Sequence, residues 1–189
     1  MNRTKFATLG TIALSAAILL SGAVPGIPSL FDMGLAIAQN NRQSQLQLNL
    51  SAEKQVMTQD SLGRQKARWK ALEGKATVQA GDVLRYTLVG QNNGDKPLNK
   101  LAFNQPIPRG MTYVLKSASA DTNFGSKITF SIDGGRSFVE NPTVQVRQKD
   151  GTLATQPAPA KAYTHIRWNF NKALAANNSI KSTYLLQVR

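Results

Sequence analysis

The sequence predicts an all-β fold, an antiparallel sandwich of about seven to nine short strands. Apolar and polar residues alternate in runs, turn residues separate the runs, and almost no helical periodicity is present. The clearest run, over residues 84–88, lies between Gly81-Asp82 and Asn93-Gly94-Asp95, which suit the flexible or left-handed backbone of tight turns. This combination is typical of short antiparallel strands joined by hairpins.

The other strands follow the same pattern in chain order. Residues 46–50 predict a first strand, 58–63 a loop, and 67–71 a second strand. Proline and glycine over 106–110 end the next strand before another begins at Met111. The later segments are predicted as strands at 128–132, 144–146, 166–170 and 180–188, a helical turn at 173–176 and a stiff loop at 156–160.

The alternation also predicts which side chains face the core. Trp168 lies on the apolar face of its strand, between Ile166 and Phe170, whereas His165 and Arg167 lie on the opposite face, outside the core. In the last strand one face carries Ile180, Tyr184, Leu186 and Val188.

Residues 1–38 are predicted to be a signal peptide, followed by a disordered tail over 39–45 and the sandwich domain over 46–189. Arg3 and Lys5 precede an uncharged apolar stretch over residues 6–24. Ala36 and Ala38 then form the small-x-small pattern of a signal-peptidase site. Cleavage after Ala38 would export a chain that begins at Gln39, to the periplasm or the cell surface.

Two alternatives to this cleavage remain open. Ser21-Gly22-Ala23 is a second candidate site, but cleavage there would leave an apolar, proline-rich tail on the mature chain. Without cleavage, the apolar stretch would stay as a membrane anchor, since it is nearly long enough to span a bilayer. Its glycine, serine and threonine content favours the signal peptide.

The composition indicates a basic exported domain without disulfides. The chain has 23 basic and 10 acidic side chains and no cysteine. Removal of Arg3, Lys5 and Asp32 with the leader leaves 21 against 9, a net charge of +12. Such a balance either favours association with anionic polymers or keeps the surface soluble. With no disulfide, the apolar core has to hold the domain together.

The densest basic run allows two interpretations. It comprises Arg64, Lys66, Arg68 and Lys70, extended by Lys75. It could bind an anionic polysaccharide or phosphate, with Trp69 stacking on a sugar or a base. Alternatively, Ala67, Trp69 and Ala71 face the core, and the cations between them protect an edge strand from pairing with another chain. The alternation favours the second interpretation, because it places Trp69 away from the charges.

The segment 131–138, Ser-Ile-Asp-Gly-Gly-Arg-Ser-Phe, resembles the Asp-box hairpin of sialidase-like propellers. In that motif the aspartate accepts backbone N–H groups across a turn, and the aromatic residue packs beneath it. A chain of this length has no room for the many blades of a propeller. Asp133 and Gly135 are therefore predicted to be structural turn residues, as are Gly81, Asp82 and Gly94.

No residue pattern predicts catalysis, a cofactor or a metal. His165 is the only histidine, and without cysteine it is a poor basis for a zinc or copper site. The aspartates are scattered among separate turns, whereas calcium prefers several oxygens gathered in one loop. No serine lies in a Gly-x-Ser-x-Gly elbow.

Residues 80–113 resemble the bacterial conserved-repeat domain, also called domain of unknown function eleven. The similar elements are an Ala-Gly-Asp turn, the strand with Tyr86-Thr87, the Asn92-Asn93-Gly94-Asp95 turn, and the segment 106–113, Pro-Ile-Pro-Arg-Gly-Met-Thr-Tyr. Ala80 stands where that family usually has proline, and Asn104-Gln105 where an aspartate is common. Over residues 46–188 the resemblance implies an immunoglobulin-like sandwich in exported envelope or surface proteins, without catalytic residues.

Three functions follow as hypotheses. The first is a non-catalytic structural or interaction module whose partners are envelope proteins or anionic cell-surface polymers. The second is a dedicated polysaccharide- or polyanion-binding protein that uses the basic run. The third, remote alternative is a hydrolase of unrecognised type. Export argues against a specific nucleic-acid partner, and membrane contact is expected only through an uncleaved signal sequence.

Overall fold

The computed structural model describes residues 13–14, 45–73 and 77–189. The predicted cleavage motif with Ala36 and Ala38, residues 39–44 of the predicted tail, and Lys75 lie outside the described residues. The signal peptide and its cleavage therefore stay predictions.

The described chain consists almost entirely of strands and turns. Two short 3₁₀ turns, Thr122–Phe124 and Ala160–Ala162, are the helical segments within it. The strands are β1 Ala13–Leu14, β2 Leu46–Gln59, β3 Gln65–Ala71, β4 Val83–Asn92, β5 Ala102–Pro106, β6 Met111–Tyr113, β7 Ser119–Ala120, β8 Ser126–Ser131, β9 Thr143–Arg147, β10 Leu153–Pro157, β11 His165–Phe170 and β12 Ser179–Val188.

The strands form two sheets and a separate hairpin. The larger sheet has the order β3-β2-β4-β12-β6, and β7 also pairs with β12. The smaller sheet has the order β1-β5-β11-β8, while β9 and β10 pair with each other in a two-stranded sheet. Among these strand pairs, all but the parallel β1–β5 pair are antiparallel. One apolar core joins the two sheets, so the predicted all-β sandwich is confirmed.

The strand β1 belongs to the predicted signal peptide. Its two residues pair in parallel with Ala102 and Phe103 of β5. A chain cleaved after Ala38 would lack β1, and β5 would then be an edge strand of the smaller sheet.

Aromatic side chains from both sheets meet at the centre of the core. Trp168 of β11 is fully buried, as predicted, and its ring lies 5.6 Å from that of Tyr184 in β12. Tyr184 stacks in turn on Tyr86 of β4, at 5.2 Å between ring centroids. The Trp168 Nε1–H donates to the carbonyl of Ser119 at 3.1 Å. The indole therefore combines complete burial with a satisfied donor, as a buried tryptophan requires.

Gly90 lets the two sheets approach closely at one end of the core. A Cβ at this position would lie 2.5 Å from Cζ of Phe103, which belongs to the opposite sheet. Phe103 also contacts Phe170 edge-on, with 5.0 Å between ring centroids. The absence of a side chain at Gly90 therefore makes room for an aromatic ring.

One buried amide fastens the turn after β4. Asn92 is fully buried, and its Nδ2 lies within hydrogen-bond distance of the carbonyls of Lys96, Leu174 and Ala175, at 2.8, 3.0 and 3.1 Å. Its Oδ1 accepts the N–H of Gly94 at 3.1 Å. Since a buried amide is costly when unpaired, these bonds tie the turn to the loop before β12.

The structure departs from the predicted elements in three places. From residue 46 onward it has eleven strands instead of about nine, because β7 and β10 were not predicted. The first strand continues to Gln59, through the start of the expected loop. Residues 173–176 form no helical turn, and Leu174 instead makes an antiparallel bridge with Leu98. Each of these segments either pairs with residues that are distant in sequence or is itself exposed to solvent.

The two tryptophans provide a matched test of the core. We expect Trp168→Ala to lower the free energy of unfolding by about 3–5 kcal/mol, because it leaves a large cavity between the sheets. Trp69→Ala should cost about 1 kcal/mol or less, since Trp69 lies half-buried on an edge strand. Urea unfolding of both variants measures the difference. Equal losses would show that Trp168 is not the centre of the core.

Candidate functional site

The β2–β3 hairpin extends beyond the body of the sandwich. The pairing of β2 with β4 ends at Lys54, which lies opposite Leu84. From residue 55 to residue 59, β2 pairs with β3 alone. Along β3 every side chain is exposed except the half-buried Trp69. As the last strand of its sheet, β3 also leaves one backbone edge open within the described structure.

The cations of β3 share one side of this hairpin. In an antiparallel pair, residues that lie opposite each other point to the same side of the sheet. Lys66 lies opposite Thr58, Arg68 opposite Val56, and Lys70 opposite Lys54. This is the side on which Ala52 and Tyr86 enter the core. We call Lys66, Arg68 and Lys70 the cation face.

The prediction that Ala67, Trp69 and Ala71 face the core is therefore wrong. They lie opposite Met57, Gln55 and Glu53, on the outer side of the sheet. Ala67 and Ala71 are exposed there. The register is set where β2 pairs with β4, and the hairpin inherits it beyond the core. The expectation that β3 is an edge strand is confirmed.

Trp69 is covered on the outer side by a cation of the sheet. The guanidinium carbon of Arg85 lies 4.5 Å from the centroid of the Trp69 ring. Arg85 also forms a salt bridge with Glu53, at 2.8 Å between Nη2 and Oε2. The face of the indole that Arg85 covers is thus closed to a sugar or a base.

The three cations of the cation face have no acidic partner among the residues that the structure describes. No ion pair joins Lys66, Arg68 or Lys70 to a carboxylate in the described parts of the chain. Lys54, which lies opposite Lys70, is instead neutralised by Asp82 at 2.6 Å. Alternate residues of a strand are about 7 Å apart, so the face presents three positive charges in a line about 13 Å long.

Arg64 is separated from this face by the turn. Its guanidinium bonds Asp60, with 2.8 Å between Nε and Oδ2, and Asp60 Oδ1 accepts the N–H groups of Leu62 and Arg64. These hydrogen bonds, led by the one from the Arg64 backbone, lower the pKa of the Asp60 carboxyl despite some desolvation. The side chain of Leu62 is 73% exposed at the tip. Of the predicted basic run, the structure thus brings together the cation face, sets Arg64 apart and leaves Lys75 outside the described residues.

Gly81 and Asp82 form the predicted turn into β4. Gly81 has a φ of +91°, and its N–H donates to the carbonyl of Val188 at 2.8 Å. Asp82 Oδ2 accepts the N–H of Gln79 at 2.7 Å and contacts Lys54. Burial raises the pKa of the Asp82 carboxyl, but the bonds from Lys54 and Gln79 lower it by more than burial raises it. The pKa therefore lies below its usual value.

Gly94 lies in a turn, as predicted, but for a different reason. Its φ is not positive, so a left-handed backbone does not require glycine here. A Cβ at Gly94 would instead lie 2.6 Å from Cδ of Gln45. A side chain at this position would therefore have to displace the exposed side chain of Gln45.

The Asp-box-like segment forms the hydrogen bonds that its sequence predicts. Asp133 Oδ1 accepts the N–H groups of Arg136 and Ser137, each at 3.0 Å, and Oδ2 accepts the Ser137 hydroxyl at 2.6 Å. Together with a bond from Ser131, they hold the pKa of Asp133 well below its ordinary 3.8. The stabilisation by the carboxylate is thus present above pH 3.8 and is lost as the pH falls below it.

His165 lies on the outer face of β11, as predicted, but it is half-buried rather than exposed. Gly135 sits against its ring, and a Cβ there would approach the ring to 3.2 Å. Phe138 contacts the ring edge-on, at 6.3 Å between centroids. Burial and the charge of Arg167 lower the pKa of His165, and Asp133 opposes them. As the pH drops below 6.5, the ring is protonated in the unfolded chain before it is protonated in the folded one. The free energy of unfolding therefore falls with decreasing pH in this range.

A polar row on the outer face of the smaller sheet was not predicted. Arg167 stacks on Phe138 at 3.5 Å from the ring centroid, and its neighbours on the adjacent strands are Asn104 and Thr129. Asn104 Oδ1 and Thr129 Oγ1 are buried without a hydrogen-bond partner among the described residues. The alternation places these residues outside the core, but it gives no signal that they are covered.

No group of three or more potential metal ligands occurs in residues 13–14, 45–73 and 77–189. Over the same residues, no helix is both long and apolar enough to cross a bilayer. The carboxylates with lowered pKa values, Asp60, Asp82, Asp133 and Asp150, each lie in a separate turn, where hydrogen bonds account for the shift.

Comparisons of the chain with protein-family models, with curated proteins and with solved structures found no match. The resemblance of residues 80–113 to the conserved-repeat domain stays a prediction.

Proposed function

We propose that the chain is an exported, non-catalytic β-sandwich module of the cell envelope or cell surface, which contacts its partners through the β2–β3 hairpin. The observation that carries this proposal is that the hairpin leaves the sandwich and exposes almost all of β3. These side chains do not pack against the core, so core packing does not explain which residues occur there. A projecting, exposed element is instead well suited to contact another molecule.

Export is supported by the leader sequence, in which a basic start, an apolar stretch and Ala36 and Ala38 follow in order. The resemblance to the conserved-repeat domain points to the same compartment and to partners among envelope proteins. A non-catalytic role is supported by the carboxylates, which are spread over separate turns, and by His165, whose contacts are structural.

Photo-crosslinking in cells tests the hairpin as the contact element. A photoreactive amino acid at Leu62, on the hairpin tip, should yield specific crosslinked products. The same probe at Leu153, on the β9–β10 hairpin, should yield few. The two positions are comparably exposed, at 73% and 63%, so they differ mainly in location. Equal crosslinking at both positions would contradict the proposal.

A second candidate function, polyanion binding, is favoured by the cation face. Three cations in a line, without acidic partners in the described part of the chain, can neutralise the charges of an extended anionic chain, and the released counterions favour binding. The edge-protection interpretation is not excluded by this role, because the same charges can repel a second strand and attract an anion.

The salt dependence of heparin binding tests this candidate. A triple variant, Lys66→Gln, Arg68→Gln and Lys70→Gln, should reduce the slope of log affinity against log salt by about 2–3, since it removes three charge contacts. The matched control replaces three exposed cations elsewhere, Arg136, Lys149 and Lys161, by glutamine. Equal reductions in both variants would indicate a response to net charge alone and would reject the cation face as a site.

A further inference from the structure

The open edge of β3 presents a defined set of backbone groups. Asp60 N–H donates to the Arg64 carbonyl and Leu72 N–H to the Ala52 carbonyl, both at 2.9 Å. Hydrogen-bonded pairs recur at every second residue of an antiparallel ladder. The even-numbered residues of β3 therefore bond to β2, and the N–H and C=O groups of its odd-numbered residues point away from the sheet.

These outward groups can pair with those of a second copy in one register of full overlap. A two-fold axis at Arg68, the middle of Gln65–Ala71, pairs residue 65 with 71 and residue 67 with 69 of the other copy. All of these residues have outward backbone groups, as hydrogen-bonded antiparallel pairs require. The strand is therefore self-complementary in its backbone.

The two sides of such a pair differ in their side chains. On the outer side, Ala67 would lie opposite Trp69 of the second copy, so that a small residue meets a large one. On the cation face, Arg68 would lie opposite Arg68, and Lys66 opposite Lys70. Like charges that face each other across strands are destabilising, so the cation face opposes the pairing that the backbone allows.

We propose that the edge of β3 can pair with the same edge of a second copy, and that its charges prevent this pairing in the isolated chain. A bound linear polyanion removes the repulsion, so that the two edges pair. The polyanion would lie along the joined cation faces of both copies and neutralise six cations that otherwise repel each other. Dimers of continuous sheet would then form where anionic polymers are present. This inference rests on polyanion binding by the cation face, the second candidate function above.

Sedimentation of the full chain, with and without a heparin octasaccharide, tests the proposal. The unmodified chain should be a monomer in low salt, and its mass should double when the octasaccharide is added. Without heparin, raising the salt concentration should also increase the dimer fraction, because salt screens the repulsion. Arg68→Ser, which removes the facing pair at the two-fold axis, should dimerise at lower protein concentration without heparin.

Ala67→Pro supplies the matched control. Residue 67 has an outward N–H, so proline blocks the edge while the ladder to β2 and all the charges remain. This variant should bind heparin with an unchanged salt slope and stay monomeric. Heparin-induced dimers of Ala67→Pro would overturn the inference, since another surface must then pair. A monomeric unmodified chain that binds heparin would overturn it too, while leaving the second candidate function intact. Failure to bind heparin at all would reject both.

Discussion

The register of β2 on β4 places Ala52 opposite Tyr86, and this pairing fixes the orientation of every residue in the hairpin beyond it. A shift of one residue would turn the buried side chains of β2 outward, so the core specifies the register strongly at this point. The rest of the hairpin has no core of its own. The positions of the cation face and of Trp69 are therefore consequences of packing elsewhere in the sheet.

The core itself depends on shape and on a few buried polar bonds, since the chain has no cysteine with which to cross-link its sheets. Trp168 contacts Tyr184 across the sandwich, Tyr184 stacks on Tyr86 within its own sheet, and Gly90 admits Phe103 from the opposite sheet. Asn92 then closes the turn that follows β4. These contacts join strands that are far apart in sequence.

Much of this fold could be predicted from the alternation of residues. It correctly placed Trp168 in the core and Ile180, Tyr184, Leu186 and Val188 on one buried face, because in both strands one face is buried and the other is polar. The same reasoning failed for Trp69. There both faces are exposed, and alternation cannot tell which face continues the core. The row around Arg167 was missed for a related reason, since burial on an outer face depends on contacts that no local pattern records.

The functional account places partner binding on an element that the core orients but does not bury. It requires that the backbone N–H and C=O groups of the even-numbered residues of β3 bond to β2, and that those of the odd-numbered residues point away from the sheet. Amide hydrogen exchange along β3, measured by NMR, tests this most directly. The account predicts slow exchange at Lys66, Arg68 and Lys70 and fast exchange at Gln65, Ala67 and Trp69. Slow exchange at the odd residues and fast exchange at the even ones would show the opposite register and would contradict the account.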